Sequence, residues 1–182
     1  LTDFSAGHVS DKEATLIMSI LNEKLAGRDV KFYAGTSYRN IMIYSGSDAI
    51  EAKCIPPHDI IGKSITKNLP KGKGSEILFE LMRDSFHLLE NHEVNAVRTD
   101  LGENPANMIW LWGQGKRPTL TPFEELYGIS GAVITGVDLL RGLATYIGWN
   151  IIEVPGATAY LDTDYDAKAQ YAIEALETHD LV

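Results

Sequence analysis

The spacing of apolar side chains near the start of the chain predicts an amphipathic helix. Ser10 and Glu13 stand three residues apart, as in a capping box, where each side chain satisfies a backbone N–H group at the start of a helix. Apolar residues then recur at intervals of three and four, namely Ala14, Ile17, Met18, Leu21 and Leu25. Gly27 is a suitable stop. The pattern therefore predicts a helix from about residue 11 to residue 26.

Strand-like runs follow this helix. Residues 30–34 and 38–44 are rich in β-branched and aromatic residues, with a turn at 35–37 between them. A third run over 49–55 ends at two prolines, which cannot continue a ladder of backbone hydrogen bonds. Short strands are also predicted near 94–98 and 108–112.

A second helix is predicted from Ser75 to about Asn91, since an apolar stripe runs along it at helical spacing: Leu78, Leu81, Met82, Phe86 and Leu89. Strands that lie close in sequence beside two helices indicate an α+β layout for this part of the chain.

From about residue 131 the pattern changes to alternating strands and helices. Residues 132–134 form a short, wholly apolar run, followed by a helix over 137–147, a strand over 151–154 and a helix over about 166–178. This β-α-β-α order is typical of a parallel sheet with crossover helices. Leu181 and Val182 begin a further strand. Because two complete strands are marginally stable alone, we expect residues 131–182 to belong to a larger α/β domain.

Composition and charge narrow the range of partners. The 182 residues are 45% hydrophobic, and 25 acidic residues outnumber 16 basic ones, for a formal net charge of −9. An acidic surface repels polyphosphate backbones, so nucleic acid is not expected as a partner, although a small basic pocket for one phosphorylated metabolite is compatible with it.

The single cysteine, Cys54, allows no intrachain disulfide and is expected to be a packed residue. No apolar run reaches the roughly 20 residues that span a membrane, and the first residues do not read as a signal peptide, so no membrane partner is predicted and the cytoplasm is the expected location. The five histidines show no paired ligand spacing, so no complete metal site is expected within this chain.

His58 and Asp59 are the first candidates for chemistry. They follow two prolines in a loop that also contains Lys63. A histidine beside a carboxylate can position a proton or a substrate hydroxyl near neutral pH. A loop cap, in which Asp59 accepts backbone N–H groups, explains the pair equally well from residue chemistry alone.

Residues 104–116 carry the strongest local signal. Two tryptophans alternate with aliphatic residues, and Gln114 then lies between two glycines and ahead of Lys116. The glycines allow close approach of the backbone to a ligand, and Gln114 and Lys116 supply donors for oxyanions. A core strand that ends in a glycine-rich turn is the alternative. Arg39 is a further candidate, although a solvent-facing strand position accounts for it more simply.

These segments together resemble one family, the archaeal-type phosphoglycerate mutases. The likeness lies in residues 3–8 ahead of the capped helix, 37–39, 56–63, 104–116 and 154–163. It covers essentially the whole chain in order, and the Trp-Gly-Gln-Gly-Lys segment is its most specific part. The family belongs to the alkaline-phosphatase-like superfamily and is expected to interconvert 3- and 2-phosphoglycerate through a phosphoserine, with two divalent metal ions, Mn or Zn.

By this resemblance, residues 1–129 are an α+β inserted substrate-binding domain, and residues 130–182 are a β-α-β-α piece of the α/β phosphatase-like domain. The positions that it assigns to substrate are Arg39, His58, Asp59, Lys63, Asn107, Gln114, Lys116 and Arg141. His58 and Asp59 would orient hydroxyls or shuttle a proton, while the basic groups and Gln114 would hold carboxylate and phosphate oxygens.

The family's serine nucleophile and metal ligands have no counterpart here, so we expect an internal fragment that is inactive by itself and works with the remainder of the enzyme. Two alternatives stay open. One is a homoserine-kinase-like relative of the same architecture, and the other is a non-catalytic module that binds small anions.

Overall fold

A computed structural model describes residues 1–25 and 27–182, which form two compact units, Leu1–Lys116 and Arg117–Val182. The elements of unit 1 are α1 (Asp11–Lys24), β1 (Val30–Thr36), β2 (Arg39–Tyr44), α2 (Ser75–Leu89) and α3 (Glu93–Asp100). Those of unit 2 are α4 (Phe123–Tyr127), β3 (Ala132–Val133), α5 (Asp138–Ile147), β4 (Asn150–Ile151) and α6 (Tyr165–Ala175). The division into compact units falls at Lys116. The boundary between substrate-binding and phosphatase-like domains at 129/130 stays a prediction.

The capped helix predicted at the start of the chain is confirmed. The Ser10 backbone N–H donates to Glu13 Oε2 at 2.8 Å, and the Glu13 N–H donates to Ser10 Oγ at 3.3 Å. The helix packs on an antiparallel hairpin in which Phe32 pairs with Met42. Asn22 of α1 binds both backbone groups of Phe32, each at 2.8 Å, so it acts as a further partner for β1.

The core of unit 1 lies between α1, the hairpin and α2. Its buried members are Val9, Ile17, Met18, Leu21, Leu25, Phe32, Leu81, Leu89 and Val94. The apolar stripe predicted for α2 supplies Leu81 and Leu89, which confirms it as core. A smaller cluster joins Leu78 to Ala49 and Ala52.

That smaller cluster explains why the strand predicted over 49–55 is wrong. Residues Asp48–Glu51 form a single turn of 3₁₀ helix, and its three-residue period turns both Ala49 and Ala52 toward Leu78. Lys53 alone makes strand-like contacts, as an isolated antiparallel bridge to Lys71. A short apolar run cannot by itself distinguish a strand from a helical turn.

The strand predicted near 94–98 is also wrong, because this segment is the helix α3. His92 caps it by accepting a hydrogen bond from the Val94 N–H at 3.2 Å. The buried residues Val94, Asn95 and Arg98 recur at helical spacing, but two of the three are polar and hide the pattern from a hydrophobicity count.

Residues 108–112 are extended without being a strand, which corrects the other short prediction. Their polar groups bond to side chains and loops instead of a ladder. The Ile109 N–H donates to Ser85 Oγ at 3.1 Å, and the Trp110 indole N–H donates to the Ile55 carbonyl at 2.8 Å. Ile109 and Leu111 still pack against the core, so the alternation of apolar residues was real.

Unit 2 has the predicted β-α-β-α order. β3 and β4 pair in parallel, with Ala132 opposite Asn150, and α5 makes the crossover. Leu181 forms a parallel bridge to Gly131, which confirms the strand predicted to begin there. Among the residues described, no helix is both long and apolar enough to cross a bilayer.

Candidate functional site

A continuous row of rings runs across unit 1, formed by His8, Tyr38, Phe4, His58 and Trp112, and we call it the aromatic row. Phe4 touches Tyr38 at 5.5 Å between ring centroids and His58 at 6.3 Å. His58 contacts Trp112 at 5.5 Å, and His8 contacts Tyr38 at 5.8 Å. All four contacts are edge-to-face, a favoured arrangement for such rings. The row therefore joins segments of unit 1 that are far apart in sequence.

One predicted site residue, His58, belongs to this row, and three others lie beside its members. The Arg39 guanidinium sits 5.2 Å from the Tyr38 ring centroid, and its Nη2 donates to the Tyr38 hydroxyl at 3.3 Å. At His58, Nε2 lies 3.8 Å from Asp59 Oδ1. The Lys63 ammonium donates to the Asp59 carbonyl at 2.8 Å. One cation therefore lies against Tyr38, and a second lies beside the imidazole–carboxylate pair at His58.

The 3₁₀ turn Pro57–Ile60 explains why His58 and Asp59 face outward. Pro57 and Ile60, three residues apart, are both buried and anchor the turn. The two residues between them are exposed as a result. The Asp59 N–H donates to the Pro56 carbonyl at 3.1 Å, which closes the turn.

The segment that carries Phe4 and His8 is a strained turn. Ala6, Gly7 and His8 have φ values of 49°, 66° and 56°, and left-handed backbone costs a non-glycine residue about 1–2 kcal/mol. Asp3 stabilises the turn by accepting hydrogen bonds from the backbone of Ser5 at 2.8 Å and of Gly7 at 2.6 Å. Partial burial opposes ionisation of Asp3, but these bonds and those from the Ser5 hydroxyl and Asn104 outweigh it and lower its pKa to about 2.

A buried arginine supports the same turn from inside. Arg98, 1% exposed, pairs with Glu13 at 2.7 Å and with Glu103 at 3.1 Å. Its remaining donors bind the Ala6 carbonyl and, at 2.9 Å, the Asn104 carbonyl. Burial works against ionised Glu13, yet hydrogen bonds from Ser10 and Arg98 lower the pKa of this carboxyl. The guanidinium therefore holds the turn, α1 and the segment after α3 together.

The other predicted site residues make no described contact with the rings of the row. Asn107 lines a cleft of about 300 Å³ together with Asp3, Phe86 and Asn104. The Gln114 amide donates to the Ala52 carbonyl, so in this conformation it ties the Trp-rich segment to the loop before it. Lys116 is exposed at the end of unit 1.

Arg141 lies on α5 in unit 2 and forms a two-pronged ion pair with Glu153, one contact being 3.2 Å. The hydrogen bond to Glu153 raises the pKa of Arg141 and lowers that of Glu153. Its predicted contact with substrate stays a prediction.

Cys54 is partly buried, and desolvation raises the pKa of its thiol, as expected for a packing residue. In the part of the chain that the structure describes, no group of three or more His, Cys, Asp or Glu residues is arranged to hold a metal ion.

Sequence reasoning did not single out the supports of the row. Phe4, Tyr38 and His8 lay inside segments that carried the resemblance, but no spacing rule connects them because they meet only through the fold. Arg98 could have been suspected, since a lone cation on the buried face of a helix has to find partners.

Comparison with known proteins points to one family. Residues 1–95 match the family model described as 2,3-bisphosphoglycerate-independent phosphoglycerate mutase. Proteins of that name from Methanosarcina barkeri and Methanosarcina mazei are each 49% identical over 182 residues, which is 100% of this chain and 46% of theirs. A protein from Geobacter sulfurreducens, named as a probable member, is 44% identical over 186 residues, 100% of this chain and 45% of its own.

Two solved structures share the fold. A protein from Pyrococcus horikoshii matches with a TM-score of 0.70 at 23% identity, over 97% of this chain and 42% of that one. The cofactor-independent phosphoglycerate mutase from Thermoplasma acidophilum matches with a TM-score of 0.61 at 21% identity, over 97% and 48%.

The chain thus spans just under half the length of the relatives that it matches. The family model covers more than half of the chain, and the match includes residues 3–8, 37–39 and 56–63, which first suggested the resemblance. The chain belongs to the 2,3-bisphosphoglycerate-independent phosphoglycerate mutase family.

Proposed function

We propose that this chain is the substrate-holding part of an enzyme that interconverts 3-phosphoglycerate and 2-phosphoglycerate. The observation that carries the proposal is the family match over residues 1–95, a range that contains Arg39, His58, Asp59 and Lys63. His58 belongs to the aromatic row, Arg39 lies against its member Tyr38, and Asp59 and Lys63 lie beside His58, although 24 positions separate Arg39 from Lys63 in the sequence.

Each group has chemistry that suits a phosphorylated hydroxy acid. Arg39 and Lys63 would neutralise carboxylate and phosphate oxygens, and a charged donor binds such oxygens more strongly than a neutral one. His58 beside Asp59 would orient a hydroxyl or pass a proton. In a chain of net charge −9, these two cations would offset the repulsion that an anionic ligand otherwise meets.

The remaining predicted residues would act after a rearrangement or from neighbouring positions. Asn107 already lines an open cleft beside Asp3. Gln114 would have to release the Ala52 carbonyl to reach a ligand. Lys116 is exposed, so its side chain can change rotamer to reach one. Arg141 would contribute from the domain that we assign to residues 130–182, and residues 1–129 would form the inserted substrate-binding domain.

We further propose that the phosphoserine and the two divalent metal ions, Mn or Zn, are held by the remainder of the enzyme. The described residues do not fit a metal site, so the chemistry assigned to this chain is binding and orientation. The 182-residue chain alone should therefore lack mutase turnover. The cytoplasmic location stays a prediction.

The test uses the full-length enzyme and follows conversion of 3-phosphoglycerate to 2-phosphoglycerate. We expect Arg39→Ala and Lys116→Ala each to lower kcat/KM about ten- to a hundredfold, the effect of losing a charge-assisted hydrogen bond of roughly 1.5–3 kcal/mol. Gln114→Ala should act in the same direction but less, since its amide is neutral. The melting temperature should barely move for Arg39→Ala and Lys116→Ala.

Lys71→Ala is the matched control, because Lys71 lies in a lysine-rich loop and its ammonium binds the Lys67 carbonyl at 2.9 Å. Wild-type kinetics in both Arg39→Ala and Lys116→Ala would contradict the assignment. An enzyme that does not convert phosphoglycerate but phosphorylates homoserine with ATP would instead support the homoserine-kinase-like alternative.

A further inference from the structure

We propose that His8 is an additional substrate-contacting residue, and that the buried Arg98 is the positioning residue that holds it in place. The inference rests on the proposed function, because the ligand it assigns to His8 is the same phosphorylated carboxylate anion that Arg39 would bind.

His8 and Arg39 lie against the same ring. The His8 ring meets Tyr38 edge-to-face at 5.8 Å, and the Arg39 guanidinium lies 5.2 Å from the Tyr38 centroid. Both side chains are exposed. An imidazole N–H against the same ring as a guanidinium would supply a second, directional donor for an oxyanion.

The fold fixes His8 relative to Arg39 through two hydrogen bonds of one residue. Ser37, which precedes Tyr38, donates its hydroxyl to the Val9 carbonyl at 2.6 Å, and its N–H to Asp11 Oδ1 at 2.7 Å. The start of β2 is therefore tied to the residues that directly follow His8.

The left-handed turn of Ala6–His8 sets the direction of the His8 side chain, and its backbone conformation costs free energy. Left-handed conformations in non-glycine residues persist only where surrounding contacts enforce them, and they concentrate at functional sites. Here one enforcing contact from inside the unit is the bond from the guanidinium of Arg98, a fully buried cation, to the Ala6 carbonyl, beside the bonds that Asp3 accepts. Burying a charge carries a desolvation penalty, which an ordinary surface loop does not require.

Two substitutions of His8 in the full-length enzyme test the contact. His8→Phe keeps a ring against Tyr38 but removes the donor, and we expect it to raise KM for phosphoglycerate about tenfold, with a smaller change in kcat. His8→Asn keeps a donor and suits the left-handed backbone, because asparagine tolerates it, so it should recover part of the loss. A His8→Phe enzyme with wild-type KM would overturn the inference.

The positioning role is tested through Gly7. An alanine there would be strained at φ +66°, and its Cβ would lie in van der Waals contact with Arg98 Nη2 at 3.4 Å, so the backbone strain of Gly7→Ala falls within the turn and should raise KM. Gly72→Ala is the matched control, since φ is +87° and no atom lies within 4 Å of the added carbon. The two variants should lose stability alike, and only Gly7→Ala should raise KM.

Arg98→Lys extends the same test, because a lysine keeps the charge but has one nitrogen in place of the three that bind Glu13, the Ala6 carbonyl and the Asn104 carbonyl. We expect a raised KM in those molecules that fold. Equal KM values for Gly7→Ala and Gly72→Ala would refute the positioning role. If the wild-type enzyme converts phosphoglycerate while the His8 and Gly7 variants match it, only this inference fails, whereas a wild-type enzyme without that activity refutes the proposed function as well.

Discussion

The two units bury their apolar residues very differently. Unit 1 encloses large side chains such as Leu21 and Leu81, both with 0% exposure. In unit 2 the buried hydrophobic residues among those described are all alanines: Ala132, Ala144 and Ala175. Many of its large apolar residues are exposed instead, with Leu139 79% and Leu161 94% exposed.

This difference shows that the number of apolar residues in a unit does not determine how large its buried core is. In unit 1 two helices and one face of the hairpin enclose the core, while unit 2 has two strands of two residues each. Parallel sheets normally have both faces covered, and exposed leucines on a crossover helix are the residues that such a sheet would bury. We propose that parts of the full-length enzyme outside these 182 residues cover unit 2.

The largest expected difference in stability between the units comes from replacing one arginine in each. Arg98→Met should destabilise unit 1 by about 3–5 kcal/mol, because it leaves the carboxylate of Glu13 and two carbonyls without their partner in a buried site. Arg141→Met should leave unfolding almost unchanged, since the pair with Glu153 is solvated. Urea unfolding followed by circular dichroism measures both. Equal midpoints for the two variants would contradict the comparison.

A second pair of substitutions tests packing directly. Leu81→Ala should cost about 2–5 kcal/mol, as for other large-to-small changes in a closed core. Leu139→Ala should change the stability of the 182-residue chain by less than about 0.5 kcal/mol. In the full-length enzyme, however, Leu139→Ala should become costly if the proposed covering of α5 exists. Unchanged stability there as well would refute the covering.

A pH series provides the smallest expected effect. The pKa of Asp3 is lowered from 3.8 to about 2, so its ionised form stabilises the fold above pH 4, and that contribution is lost as pH falls through about 2. Asp3→Asn should therefore cost about 2 kcal/mol at neutral pH and progressively less toward pH 2. Unfolding midpoints between pH 7 and pH 2 measure the convergence of the two curves.

Asp180 of unit 2 serves as the comparison for that series. Hydrogen bonds from the Ser130 backbone and hydroxyl also lower its pKa, but the carboxylate is fully solvated. Asp180→Asn should show a much weaker pH dependence than Asp3→Asn. A larger effect at Asp180 would mean that the turn around Asp3 contributes little to the stability of unit 1.

The sequence by itself determined those elements whose signals are local. Ser10 and Glu13 predicted the start of α1, the stripe through Leu81 predicted α2, and the apolar runs beside α5 predicted a parallel pair. Such signals persist because capping bonds and helical periodicity depend on residues only a few positions apart. The family resemblance likewise came from short contiguous segments, and the match over residues 1–95 confirms it.

Only the tertiary structure decided what depends on distant partners. Asp48–Glu51 forms a 3₁₀ turn in which Ala49 packs on Leu78, and residues 94–98 are helical with Arg98 paired to Glu13, contacts that no short window contains. The aromatic row is decided in the same way, since Phe4, Tyr38, His58 and Trp112 come together from four separate segments. Local propensity is weak for short segments, so long-range burial and the need to satisfy a buried charge determined their conformation.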